Sequence, residues 1–182
     1  MGTTTQTTLT FEEFERLPDQ PGKLELLKGE LIELPPAEFI HNASAEFIFL
    51  RIHAALEAAH SRGEAAELGH AYHVMGYRLS GDVFVQPDVS VTHAGQAVQK
   101  YLGGAPAIAI EIISPSNTAE EMDLKTKLYF EFGAREVWRV YRRTRHVIVH
   151  MPGRVHEVGE NETLTTPLLP GLALSVREIL GE

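Results

Sequence analysis

The chain has 182 residues, 43% of them hydrophobic, and a formal net charge of −9. That length suits one folded unit with a sizeable core, and the acidic balance argues against a protein that coats nucleic acid non-specifically. There is no cysteine, which excludes disulfides, thiolate zinc sites and cysteine nucleophiles and fits a cytoplasmic protein, and no apolar run approaches the ~20 residues of a membrane helix.

Residues 1–8 are polar and threonine-rich, without the charged start and apolar stretch of a signal peptide. They are expected to form a flexible tail ahead of a single domain at 9–182. Thr10 and Glu13 have capping-box spacing and predict a short helix to about Leu17, ended by Pro18, Pro21 and Gly22. "KLELLKGELIEL" predicts two strands joined at Lys28-Gly29. A long helix is expected from about Asn42 to Arg62, stopped by Gly63. "HAYHVMGYRL" and "VFVQPDVSV" predict strands around Ser80-Gly81-Asp82, followed by a loop from about Thr92 to Pro106. The apolar run "AIAIEII" is the next strand. Thr118 and Glu121 make a second capping box for a helix to about Phe132, with Gly133 as its stop. "EVWRVY" and "HVIVHM" predict another strand pair, then a weak strand and a short helix near Ser175 to Leu180. Together these elements predict an α/β fold, a mixed sheet flanked by helices with an N-terminal β-hairpin.

Glu111 interrupts an otherwise apolar strand. A buried, unpaired carboxylate costs several kcal/mol or takes up a proton, so Glu111 is either exposed or partnered. Strand alternation groups Ile108, Ile110 and Ile112 on one face and Ala107, Ala109, Glu111 and Ile113 on the other. In the preceding strand, Phe84, Gln86, Asp88 and Ser90 share the more polar face. Pro87 marks an edge, a bulge or a strand end beside Asp88. If the two strands are neighbours, Asp88 and Glu111 converge. Two close carboxylates repel unless a cation or a shared proton relieves them, and an oxygen-rich pair suits Mg²⁺ or Mn²⁺. The alternatives are an Asp88 bonded to backbone amides and a Glu111 paired with an arginine.

On the following helix, Glu120, Asp123, Lys127 and Glu131 form a charged stripe. Leu124, Leu128 and Phe132 mark the apolar arc, with Tyr129 on its flank and Phe130 pointing toward the charged side. Lys125 falls inside that arc. It needs an anionic partner there or must snorkel to solvent, and Glu111 and Asp88 are candidates. Residues 134–156 hold six arginines against Glu136 alone, which reads either as a solvated strand face or as a phosphate-binding surface. His70 and His73 have metal-ligand spacing, but alternation puts them on opposite faces. His146, His150 and His156 are read as surface residues.

The order of a PD pair, an acid in an apolar strand and a lysine resembles the PD-(D/E)XK superfamily of metal-dependent nucleases. More closely, "LTFEEFERLP", "LELLKGELIELPP", "VQPDVSV", "EIISPS" and "KLYFEFGAREVW" resemble the Uma-type family of restriction-endonuclease-like proteins. That resemblance implies a divalent-metal-dependent nuclease fold hydrolysing phosphodiester bonds, with nucleic acid, DNA in the first instance, as partner and a homodimer as one assembly open to it; the lack of a long apolar run leads to the expectation of no membrane partner. It implies Mg²⁺ or Mn²⁺ held by Asp88, Glu111 and the Ile112 carbonyl. The superfamily's lysine position, two residues after the acid, holds Ile113 here, which implies a migrated lysine, matched to Lys125. It also points to Glu25 and to His41, before the long helix, as site neighbours. Their alternatives are a solvent-facing strand acid and a helix-start residue. A catalytically silent domain that binds nucleic acid or protein, and a structural oligomerisation domain, are the competing readings.

Overall fold

The computed structural model describes residues 8–181. The tail expected at 1–8 therefore lies, apart from Thr8, outside the described residues. Helix α1 (Phe11–Phe14) opens with the expected capping box between Thr10 and Glu13. Strands β1 (Lys23–Leu27) and β2 (Glu30–Leu34) form the expected hairpin. Its two loop residues, Lys28 and Gly29, have φ of 53° and 81°. Positive φ at both positions matches the twist of the strands they join.

Helix α2 (Phe39–Ser61) begins at Phe39 rather than Asn42, so His41 lies in its first turn rather than before it. The expected strand at 70–79 is two pieces, β3 (Leu68–His73) and β4 (Tyr77–Arg78). The break falls at Val74, where φ is 50° and the N–H donates to the Asp88 carbonyl at 3.0 Å. The next strand is also split, into β5 (Phe84–Val85) and β6 (Val89–His93). Pro87, which has no N–H for a ladder, sits in the gap. A short β7 (Leu102–Gly103) lies within the expected loop. Then come β8 (Ile108–Ile113), α3 (Ala119–Glu131) with the expected Thr118/Glu121 capping box, β9 (Glu136–Tyr141) and β10 (His146–Met151). The expected weak strand is instead β11 (Arg154–Gly159), β12 (Thr163–Leu164) and β13 (Leu174–Ser175), before α4 (Val176–Ile179).

These strands make a five-stranded sheet, β2-β1-β5-β4-β7, a six-stranded sheet, β11-β10-β9-β8-β6-β3, and the pair β12-β13. The chain crosses from the first sheet to the second at Gln86–Asp88. β8 and β9 run parallel, so their connection must cross over, and α3 supplies the crossover. The alternation of β8 divides its two faces as its sequence predicts. Ile108, Ile110 and Ile112 pack in one core with Ile48, Ile52 and Leu56 of α2. Each such side chain, fully buried, stabilises the fold by about 1.5–3 kcal/mol. Ala109 packs in a second core with Leu128 and Tyr129 of α3 and with Val85 and Tyr77. Phe130, expected toward the charged side of α3, is half-buried against that second core. The small Ala109 side chain lets α3 approach the sheet face that carries Glu111.

Candidate active site

β6 and β8 are antiparallel neighbours, with Val89 opposite Ile110 and Ser90 opposite Ala109. Continued by one residue, this register sets Asp88 across from Glu111, on one face. The Ile112 N–H donates to Asp88 Oδ2 at 2.8 Å and holds that carboxylate against β8. Both acids are buried, with Asp88 4% and Glu111 6% exposed. The condition for convergence read from the sequence is met.

The groups that keep them there come from three elements. Lys125 of α3 does not snorkel. It is 4% exposed, and its Nζ lies 2.8 Å from Glu111 Oε1. Its second partner is Glu25 of β1, at 3.0 Å from Oε1 and 2.8 Å from Oε2. Glu25 is therefore not a solvent-facing strand acid but fully buried, and it also accepts the Gln86 N–H at 2.7 Å. Lys125 is not paired with Asp88, the other partner its sequence position allowed. Asp88 is engaged instead by Lys23 of β1, whose ammonium donates to Oδ1 and, at 3.2 Å, to the Gln86 carbonyl. His41 completes this side, with Nε2 3.3 Å from Asp88 Oδ2 and 3.1 Å from the Ile112 carbonyl.

Two of these groups, Lys23 and Tyr129, are not picked out by the sequence reading. Tyr129 O–H donates to Glu111 Oε1 at 2.6 Å, so the residue at the flank of the apolar arc packs its ring and bonds with its tip. For Lys23 the available signal was alternation, since it shares a strand face with Glu25.

Three carboxylates and two ammonium groups in so small a volume shift one another. Burial opposes the charge on Asp88, but hydrogen bonds and charge from His41 and Lys23 outweigh it and hold the carboxyl well below the usual range. Burial opposes the charge on Lys125 as well, and the carboxylates of Glu111 and Glu25 overcome it, keeping the ammonium protonated well past its ordinary limit. Glu111 goes the other way. Burial, reinforced by the charges of Glu25 and Asp88, raises it despite Lys125. Burial and Glu111 likewise raise Tyr129, so its O–H stays a donor.

Lys23, His41, Asp88, Glu111 and Ile112 line one half-open cavity of about 380 Å³. Ile113, in the position the superfamily gives to lysine, also lines it. Among the described residues, no group of three or more histidine and acidic side chains is arranged to hold a metal ion, and His70 and His73 belong to no such group. The remaining donor set is two carboxylates and the Ile112 carbonyl. It is all oxygen, and it fits a hard cation that keeps several waters. The chain's own ammonium, Lys23, stands against Asp88 at that cavity. His146, His150 and His156, expected at the surface, are half-buried along β10 and β11.

The mixed α/β architecture is that of a nuclease-like fold. The chain belongs to the Uma2 family, described as "Putative restriction endonuclease", whose model matches residues 11–177. Its fold is shared with a solved "putative nuclease belonging to DUF820" from Anabaena variabilis ATCC 29413. The TM-score is 0.79 at 19% identity, over 94% of this chain and 97% of that one. No curated protein matches the chain.

Proposed function

We propose that the chain is a divalent-metal-dependent nuclease that hydrolyses phosphodiester bonds in nucleic acid, DNA in the first instance, with an active-site lysine moved to α3. The observation that carries this is the pairing of Asp88 and Glu111 across β6 and β8, beside the Ile112 carbonyl, at one cavity. Asp88, Glu111 and the Ile112 carbonyl would hold Mg²⁺ or Mn²⁺. When bound, such an ion polarises a phosphate and lowers the pKa of an attacking water.

The chain's own groups divide the remaining work. Lys125 is held protonated, so it serves as a fixed positive donor that orients a water or stabilises developing negative charge, not as a base. Glu25 fixes Lys125 from the side opposite Glu111. His41 steadies Asp88 and the Ile112 carbonyl together. Lys23 neutralises Asp88 while no other cation is present and must yield when one binds. The competing reading, a silent binding domain, draws on Ile113 in the usual lysine position and on the existing engagement of Asp88 by Lys23.

Calorimetric titration of Mn²⁺ into wild type, Asp88→Asn and Glu111→Gln separates the two. Binding by wild type that both substitutions weaken by tenfold or more is the expected result. Binding untouched by either substitution places the ion elsewhere, and no binding by any of the three favours the silent domain.

A further inference from the structure

The arginines between residues 134 and 156 are not equivalent. Arg135 pairs with Glu67, Arg139 with Asp123 and Arg145 with Glu160. Arg143 and Arg154 are exposed. Arg142 differs from all of these. It is half-buried, it lines the cavity that holds Asp88 and Glu111, and no ion pair or hydrogen bond engages it among the described residues. Its Nε is buried without an acceptor.

A buried guanidinium N–H without a partner is destabilising, because its lost bond to water is not replaced. A structural arginine would recover that cost through a bond to the protein, as Arg139 does through Asp123, Thr126 and the Met122 carbonyl. Three carboxylates, of Glu38, Asp88 and Glu111, line the same cavity, and no ion pair joins Arg142 to any of them among the described residues. Asp88 and Glu111 are already engaged by Lys23, His41 and Lys125. The guanidinium is therefore left without a bonded anion at the cavity.

Its place in the sheet gives it a direction. β8 and β9 pair Glu111 with Arg139 and Ile113 with Tyr141. Arg142 thus follows the end of β9 beside Ser114, which follows the end of β8. Its backbone lies about 10 Å further along the strands than Glu111, at ~3.3 Å per residue. The polar loop Ser114–Asn117 lines the same wall and is bonded within itself, with the Ser114 N–H donating to Asn117 Oδ1 at 2.9 Å. The cavity has acids at one end and an unengaged guanidinium at the other. Guanidinium is matched in shape and charge to a phosphate and binds it through two parallel N–H donors.

We infer that Arg142 is a substrate-positioning residue that binds a phosphate of the nucleic-acid backbone next to the one presented to Asp88 and Glu111. This rests on the nuclease reading and adds to it the residue that aligns the strand. Lys125 is locked between two carboxylates and cannot serve this purpose.

The test is fluorescence anisotropy with a fluorescein-labelled mixed-sequence 20-mer DNA, single-stranded and duplex, in chelator so that no hydrolysis occurs, over a range of NaCl concentrations. Wild type, Arg142→Gln and Arg142→Lys are compared, each with a melting curve and a separate Mn²⁺ titration. Arg142→Gln should bind the DNA about tenfold more weakly, and the slope of log affinity against log salt should fall by about one. Arg142→Lys should keep the slope and lose part of the affinity, because a point charge replaces a fork. Mn²⁺ affinity should be unchanged in both. Equal DNA binding and equal slopes in wild type and Arg142→Gln would overturn the inference. So would a loss of DNA binding accompanied by a lower melting temperature and weaker Mn²⁺ binding, which marks a structural role. Wild type that binds Mn²⁺ but neither DNA form overturns the inference and leaves the metal site standing. Wild type that binds neither ion nor DNA removes both.

Discussion

Lys125 on α3 and Glu25 on β1, a hundred positions apart in the chain, meet with Nζ 2.8 Å from Oε2 and with side chains 5% and 1% exposed. The contact joins the crossover helix of one sheet to the hairpin of the other. Because Lys125 also touches Glu111, one ammonium group fixes two carboxylates from two sheets.

Lys125→Met should therefore act on stability as well as on chemistry. It leaves Glu25 and Glu111 buried without their cation, and breaking a buried pair by removing one partner costs about 3–5 kcal/mol. Glu111 is already raised by burial and by its neighbouring acids, and losing Lys125 raises it further. A carboxyl raised in the folded state favours folding while protonated and loses that advantage as pH rises through its folded value. The deficit of Lys125→Met should accordingly be larger at pH 7 than at pH 5 in urea denaturation. An equal deficit at both pH values would show that ionisation of Glu111 is not the cause. Where the variant is folded, nuclease activity should be lost while Mn²⁺ binding persists.

Asp88 has the opposite sign. Its folded carboxyl is held below the unfolded value of about 3.9. Its ionised form therefore stabilises the fold fully above that value, and the contribution is lost as pH falls toward the folded one. Wild type should melt higher than Asp88→Asn at pH 7, with the gap closing progressively below about pH 4. A gap that stays constant into acid would mean that charge on Asp88 does not contribute.

Lys23 makes a prediction that no purely structural ion pair would make. If its ammonium holds the position a divalent cation takes, Lys23→Met should bind Mn²⁺ more tightly than wild type, by several-fold, while melting lower in chelator. Removing the lysine deletes a competing charge but leaves Asp88 short of a partner. Weaker Mn²⁺ binding in a folded Lys23→Met would mean that the lysine supports the site rather than competes for it.

The sequence exposes some of this arrangement and conceals the rest for physical reasons. Both capping boxes, the Lys28-Gly29 turn, the two faces of β8 and the inward position of Lys125 follow from local rules, and all are present in the fold. The split of residues 83–91 does not follow. An extended chain that leaves one sheet for another keeps its alternation, and only Pro87 hints at the crossing. Glu25 is reached only through the family resemblance, and Lys23 only by sharing its strand face, because β1 packs on both sides. Leu26 belongs to the core beneath α1 and Leu27 to the core beneath α3, so alternation there names no inner side. Tyr129 reads as packing, because its ring is core and only its hydroxyl belongs to the site.

The hairpin β1–β2 contributes Lys23 and Glu25, and the link at Gln86–Asp88 is fastened to both of them. The paired acids Asp88 and Glu111 belong with the six-stranded sheet, and the hairpin of the other sheet completes the site with Lys23 and Glu25. Its closing contacts span 61 to 100 residues of chain, from Gln86–Glu25 to Lys125–Glu25, and contacts of such long range form slowly because loop closure precedes their reward. Glu25 and Lys23 join Asp88 and Glu111 only when the two sheets dock. A refolding experiment should see the secondary structure of the six-stranded sheet return before Lys125 is shielded from solvent, so that capacity for chemistry is the last property the chain acquires.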